Sequence, residues 1–139
     1  MSSNISTRFP GNFQLEIQVT CHVYPSESPD LVKKAIGSIL NGIFLEYKFG
    51  DRILGKSNNY QVLNSIYNQV RDRSVISVLR RFLLTHLDND TTWFYVNKQA
   101  ATKGMVVLVE NKSESPLGPI CITLKSNNIN KIIDWLSPD

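Results

Sequence analysis

Residues Gly50 to Ser57, with the sequence GDRILGKS, match the phosphate-loop pattern G-x-x-x-x-G-K-[ST] at every fixed position. A phosphate loop curls successive backbone N–H groups around the phosphates of a nucleotide, which favours small and flexible interior residues. Here Asp51 would place negative charge beside the phosphates, and Ile53 resists the required backbone angles. The preceding segment FLEYKF is half polar, whereas the strand before a phosphate loop is a continuous apolar run. We therefore predict a β-hairpin with a turn at Gly50-Asp51, and no nucleotide at Gly50–Ser57.

A second group that could bind an anion surrounds the link between two amphipathic helical stretches. Between Lys48 and Lys103 the chain carries nine Lys or Arg residues against four Asp residues, although the whole chain has a net charge of only +3. If the helix continued through the link, residues seven and eight positions apart would lie on one side and could contact RNA phosphates. The alternative is a solvated helix face that pairs with Asp72 and Asp88. The predicted strip consists of Arg71, Arg73, Arg80 and Arg81.

A third candidate lies in and after a predicted strand at 92–96. Its alternation places Trp93 and Tyr95 on the face opposite Phe94 and Val96, where two aromatic rings could stack on bases. The alternative is that a helix or a second subunit covers these rings. The polar corner that follows the strand could grip phosphate, or could form a tight packing corner; its residues are Asn97, Lys98 and Gln99, with Lys103 close behind.

Catalytic and metal chemistry find little support in the sequence. His22 and His86 are the two histidines, and neither shows metal-ligand spacing or a pairing with a serine or cysteine nucleophile. Cys21 and Cys121 lie a hundred positions apart in strand-like segments, so we expect buried thiols, with a disulfide as the alternative if the two strands are neighbours. We predict a protein that is not an enzyme and that uses no metal and no cofactor.

The elements that must position these residues follow from hydrophobic periodicity. Residues 13–24 alternate with period two and predict a half-buried strand, and Ser28-Pro29-Asp30 is typical of a helix start. Further patterns give the order β-α-β-β-α-α-β-β-β-α. Because the strands and helices are grouped, we predict an α+β fold with a largely antiparallel sheet and helices packed on one face. We expect a flexible N-terminal segment at 1–12 and a single domain at 13–139.

Three segments carry a resemblance to a known family: T-T-x-F-x-x-N-K-Q-A-A from Thr91, E-S-P-L-G-P-I from Glu114 and I-D-W-L-x-P from Ile133. Together they resemble an archaeal family of uncharacterised small proteins described as RNA-binding and linked with the exosome. The resemblance runs from the first strand to the C-terminus, and the basic helical stretch from Arg71 matches more loosely. It implies a fold similar to that of the large-subunit ribosomal protein that binds 5S RNA. Fold likeness alone is a weak warrant for function.

These observations predict a non-catalytic RNA-binding domain that uses the basic helix strip and the Asn97-Lys98-Gln99 corner. The alternative is a homodimeric protein-interaction module that uses the open sheet face around Trp93, Tyr95 and His22. The longest apolar runs fall well short of the roughly 20 residues of a membrane-spanning helix. No secretory signal pattern is present at residues 1–12. We therefore expect a cytoplasmic protein with no membrane partner.

Overall fold

The computed structural model describes residues 9–10 and 13–139 and contains a six-stranded antiparallel sheet in the order β2-β3-β1-β6-β4-β5. The predicted α+β class is therefore confirmed. The strands are β1 (Glu16–His22), β2 (Phe44–Lys48), β3 (Arg52–Ser57), β4 (Thr91–Val96), β5 (Leu108–Val109) and β6 (Ile120–Lys125). The helices are α1 (Pro29–Ile39), α2 (Asn64–Asp72), α3 (Ile76–Thr85), α4 (Lys98–Ala101) and α5 (Ile129–Leu136), with 3-10 turns at Tyr60–Leu63 and Lys112–Glu114.

The period-two patterns give the sheet two chemically different faces. In β1, Ile17, Val19 and Cys21 are buried, while the residues between them are exposed or partly exposed. The register continues this division across the sheet, since Val19 lies opposite Ile122 of β6, which in turn lies opposite Phe94 of β4. The helices therefore cover one face, as predicted. The other face is called here the open face.

Local signals fix the helices that cover the sheet. The Ser28 side chain accepts a hydrogen bond from the Leu31 N–H at the start of α1, as the predicted cap requires. In β4 the buried Thr92 hydroxyl donates to the Leu83 carbonyl oxygen at 2.6 Å, which ties the strand to α3. Trp135 of α5 is buried, as predicted.

The segment with the phosphate-loop pattern forms the predicted β-hairpin. Residues Arg52 to Ser57 are a strand paired on both sides, with β2 and with β1, so their backbone is extended rather than curled. Gly55 is required by packing: a Cβ atom there would lie 2.6 Å from Leu45 Cδ2 and 2.8 Å from Val19 Cγ1. Close strand packing therefore explains the second glycine of the pattern.

The structure differs from the prediction at three places. The strand predicted over 105–109 is reduced to Leu108–Val109, and a short helix, α4, follows Asn97 where only a polar corner was predicted. The cysteines of neighbouring strands point to opposite faces, since Cys21 pairs with Ile120 and Cys121 with Thr20, and both thiols are free. The alternative of a disulfide is therefore wrong. The flexible segment predicted at 1–12 lies outside the described residues except for Phe9, which stacks on Tyr60 at 4.1 Å, and Pro10.

Candidate nucleic-acid interface

The four arginines of the predicted strip do not lie on one continuous helix. Helix α2 ends at Asp72, Ser74 adopts a φ of 58°, and α3 begins at Ile76, so the chain turns between Arg73 and Arg80. The link between two predicted helices is present, and the condition for the four arginines to share one side, a helix that continues through the link, is not met. Arg73 lies in the turn and is exposed.

Two of these arginines hold the C-terminal end of α5. Arg71 donates to the carbonyl oxygens of Trp135 and Leu136, both at 3.1 Å, and stacks 3.5 Å above the ring of Tyr67. Arg80 donates to the Ser137 carbonyl oxygen and to Asp134 Oδ1, both at 2.9 Å. Cationic side chains at a helix C-terminus satisfy carbonyl groups that lack partners within the helix. Arg71 and Arg80 are thus engaged inside the fold.

The other predicted cations outside the Asn97-Lys98-Gln99 corner are exposed. Arg81 lies 3.6 Å from Glu110 in a solvent-exposed ion pair, and Lys103 is exposed in the turn after α4. Neither Asp72 nor Asp88, the predicted partners, appears in the ion pairs of the described residues. Arg73, Arg81 and Lys103 therefore carry the surface charge of the predicted set.

The Asn97-Lys98-Gln99 corner is built from inward contacts. The Asn97 side chain accepts from the Ala100 N–H at 2.8 Å and caps α4, and Gln99 Nε2 donates to the Pro116 carbonyl oxygen at 3.0 Å. Lys98 is only 3% exposed. Its ammonium donates to the carbonyl oxygens of His22 at 2.8 Å and Leu117 at 2.6 Å, and lies 3.0 Å from Glu27 Oε1. The charge predicted to grip phosphate is thus buried and neutralised by Glu27.

These contacts of Lys98 join two segments that form opposite walls of a cleft on the open face. The cleft has a volume of about 460 Å³. Its floor is a cross-strand row in which Thr20 lies opposite Cys121 and Cys121 lies opposite Tyr95. One wall contains His22, Tyr24 and Arg52; the other is the loop Ser115–Pro119 with Lys112; we refer to the whole as the open-face cleft.

The loop wall of the open-face cleft is rigidly built. Leu117 and Gly118 adopt φ angles of 62° and 83°, a conformation that a leucine adopts only when its surroundings impose it. The loop is closed by the Gly118 N–H donating to the Ser115 carbonyl at 3.0 Å, and by the Ser115 hydroxyl donating to the Gly118 carbonyl at 3.1 Å. With the Lys98 contact to Leu117, these bonds hold the wall in place before any ligand arrives.

Aromatic rings line the cleft and continue beyond it. Tyr95 lies 4.8 Å from Trp93, ring centre to ring centre, and Trp93 stacks on His86 at 3.5 Å with the planes 7° apart. On the opposite wall His22 packs edge-on against Tyr24 at 4.3 Å. His86, which directly follows α3, therefore covers one side of Trp93, while Tyr95 lines the open-face cleft.

The cleft residues carry positive charge and no carboxylate. Burial raises the pKa of the Cys121 thiol, which the nearby Lys112 ammonium opposes, and burial also raises the pKa of Tyr95. Both groups therefore stay neutral near pH 7, and the formal charges among the cleft residues are those of Arg52 and Lys112. Asp51, just outside, accepts from Arg52 Nε at 2.8 Å and Nη2 at 3.1 Å, which fixes the guanidinium in position.

A larger groove of about 690 Å³ lies elsewhere, beside Phe9, Phe13 and Tyr60. It is lined by two carboxylates, Glu16 and Asp90, against one lysine, Lys125. A polyanion would meet net negative charge there, so the smaller open-face cleft is the better anion site.

Sequence reasoning identified Tyr95 but missed Arg52, Lys112 and Tyr24. The sequence does contain a signal for Arg52, because side chains alternate between the two faces along β3 and this alternation places Arg52 on the open face, opposite His22. Within the part of the chain that the structure describes, no group of His, Cys, Asp or Glu could hold a metal ion. Nor does any described helix reach the length and apolar character needed to span a membrane.

Comparisons with known proteins agree on one family. A family model described as RNA binding matches residues 16–126. A UPF0201 protein of Metallosphaera sedula is 30% identical over 124 residues, which cover 88% of this chain and 87% of the relative. A UPF0201 protein of Thermococcus onnurineus is 32% identical over 126 residues, or 88% of this chain and 91% of the relative. The crystal structure of a UPF0201 protein from Methanococcus jannaschii is 28% identical and matches 88% of this chain and 99% of its own, with a TM-score of 0.75.

Proposed function

The chain belongs to the family whose model is described as RNA binding, and from that premise we propose that it binds unpaired RNA in the open-face cleft. The observation that carries this proposal is the composition of the cleft, which combines aromatic rings with the Lys112 ammonium and the Asp51-paired guanidinium of Arg52 and has no carboxylate among its lining residues. Sequence-tolerant RNA binding uses this pairing, because bases stack on aromatic rings while cations neutralise the backbone. The proposal moves the binding surface from the predicted helix strip to the sheet.

The dimensions of the cleft favour a single strand over a duplex. About 460 Å³ lies within the range of roughly 300–1,000 Å³ typical of small-ligand sites. An unpaired base would enter beside Tyr95 with its edges near Thr20 and Ser115, and its phosphate would lie toward Arg52 or Lys112. A-form duplex RNA presents its bases stacked and paired, so it cannot insert a ring into this space.

The test is a fluorescence-anisotropy titration of a labelled single-stranded RNA of mixed sequence at low salt. Tyr95→Leu is expected to weaken binding by about tenfold, since a base–aromatic stack contributes ~1–3 kcal/mol. Lys112→Met is expected to weaken binding and to lower the slope of log K against log salt by about 0.7, the value for one phosphate contact on a single strand.

Matched controls separate the cleft from the predicted strip. Lys103→Met and Arg73→Met remove exposed cations that lie outside the cleft and are expected to leave affinity within about twofold of the wild type. If these controls lose affinity while Tyr95→Leu and Lys112→Met do not, the RNA site is the helical surface and the cleft assignment is wrong. If no variant changes affinity, or if the wild type retains no RNA, the proposal fails.

A further inference from the structure

Strand β2 forms one of the two outer edges of the sheet. Within the described residues β2 pairs with β3 alone, so its other side presents unpaired backbone groups. The opposite edge strand, β5, is only two residues long and is followed by a 3-10 turn. Short edges resist further pairing, whereas a five-residue edge such as β2 is a template for another strand.

The β2 edge is also unusually apolar for a surface. Phe44 and Phe49, at its two ends, are 72% and 76% exposed, and Tyr47 between them is 41% exposed. Phe49 additionally adopts a φ of 61°, which is unfavourable for a residue with a bulky side chain. Exposed aromatic groups concentrated in so short a segment mark an interaction surface.

The charges of β2 specify which partner fits. Glu46 and Lys48 both lie on the open face, opposite Leu54 and Arg52 of β3, and form an ion pair within the strand with 3.7 Å between Lys48 Nζ and Glu46 Oε1. Both side chains are about half exposed, so each can also face the opposite charge of a partner strand. If a second copy pairs antiparallel about a two-fold axis at Tyr47, each Glu46 lies opposite the Lys48 of the other copy. The same axis at Glu46 would oppose two Glu46 side chains, and an axis at Leu45 would leave Lys48 outside the paired residues. Opposite charges directly across two strands stabilise pairing, and like charges destabilise it.

We propose that β2 pairs with β2 of a second copy of this chain, antiparallel and centred on Tyr47. The pairing joins two six-stranded sheets into one continuous sheet with both open faces on the same side. Backbone pairing in this register covers Glu46–Lys48, because Phe49 and Gly50 adopt φ angles of 61° and 73° in the turn. Phe44 of each copy lies beside Gly50 of the other, and Phe49 lies beside Leu45. The two open-face clefts then face the same direction.

The test uses charge exchange and sedimentation equilibrium. The wild type is expected to form dimers, and Glu46→Lys and Lys48→Glu are each expected to weaken dimerisation by about tenfold, because each places like charges opposite at both paired positions. An equimolar mixture of the two variants restores both opposite-charge pairs, so it is expected to form heterodimers with near wild-type affinity. Circular dichroism of each variant checks that the monomer fold is retained.

Other outcomes overturn the proposal. A wild type that stays monomeric at its highest soluble concentration excludes this dimer. A dimer that both single variants leave unchanged uses another surface, such as the open face around Trp93 and Tyr95. Variants that weaken dimerisation but fail to combine in the mixture exclude the register centred on Tyr47. RNA affinity of the monomeric variants is measured separately, so failure of the dimer is distinguishable from failure of RNA binding.

Discussion

Replacing Lys98 with methionine tests the role that the structure gives to this residue. The substitution keeps most of the aliphatic volume but removes an ammonium that is 3% exposed. It leaves the Glu27 carboxylate without its cation and the carbonyl oxygens of His22 and Leu117 without a donor. Removing one partner of a buried ion pair typically costs about 3–5 kcal/mol of folding free energy. For a chain of this size we expect a fall in Tm of about 10–20 °C.

The assay is urea denaturation followed by circular dichroism, arranged as a double-mutant cycle with Glu27→Gln. Glu27→Gln is expected to destabilise less than Lys98→Met, because the amide oxygen still accepts from Lys98 and from the Tyr24 N–H, which lies 3.0 Å from Glu27 Oε1. The double variant is expected to lose less than the sum of the two single losses, since no unpaired buried carboxylate remains. Lys103→Met, an exposed lysine of the same segment, is the matched control.

The result that would refute this reasoning is a Lys98→Met protein whose free energy of unfolding lies within about 1 kcal/mol of the wild type. Such a protein would show that the ammonium contributes little to the fold. If that stable variant had also lost RNA affinity, Lys98 would contact RNA directly, as the sequence alone predicted.

Three further predictions concern packing, ionisation and helix capping. Gly55→Ala is expected to destabilise by about 1–3 kcal/mol in urea denaturation because its Cβ meets two side chains, whereas Gly37→Ala, with open space in a helix, is expected to stabilise slightly. Burial raises the pKa of Cys21 from 9.0 to about 11; the unfolded thiol therefore ionises first, and we expect the free energy of unfolding in urea to fall as pH rises from about 9 to about 11, a fall that Cys21→Ala reduces. Arg71→Met is expected to cost about 1–3 kcal/mol by leaving the end of α5 unsatisfied, while Arg73→Met is expected to change thermal stability little.

The fold was largely predictable because its signals are local. The period-two alternation of β1 and the serine cap of α1 depend on neighbouring residues, and both are confirmed. The apolar stretch before β5 misled the prediction because Val106 satisfies its backbone N–H with the Gln69 side chain at 2.8 Å instead of a strand partner. Helix α4 has four residues, too few for a helical period to appear in the sequence.

The candidate site was less predictable because its contacts are distant along the chain. Lys98 reaches partners 71 and 76 positions away, at Glu27 and His22, and nothing in the neighbouring sequence indicates that its ammonium is buried. Arg71 likewise reaches α5 across 64 positions. Alternation did predict that Tyr95 faces away from the core, but the cleft around it exists only once the loop Ser115–Pro119 is folded against β1.

The hydrogen bond from the Thr92 hydroxyl to the Leu83 carbonyl oxygen fixes which side chains of β4 face the helices. This restricts the changes that β4 tolerates. Gain or loss of a single residue inside this strand would move Phe94 into water and turn Trp93 and Tyr95 toward the helices, so that both the hydrophobic interior and the aromatic rings of the open face would be disrupted at once. A substitution of one exposed side chain of β4 leaves this alternation, and therefore the core, intact. The number of residues in β4 is therefore more tightly constrained than the identity of its exposed side chains.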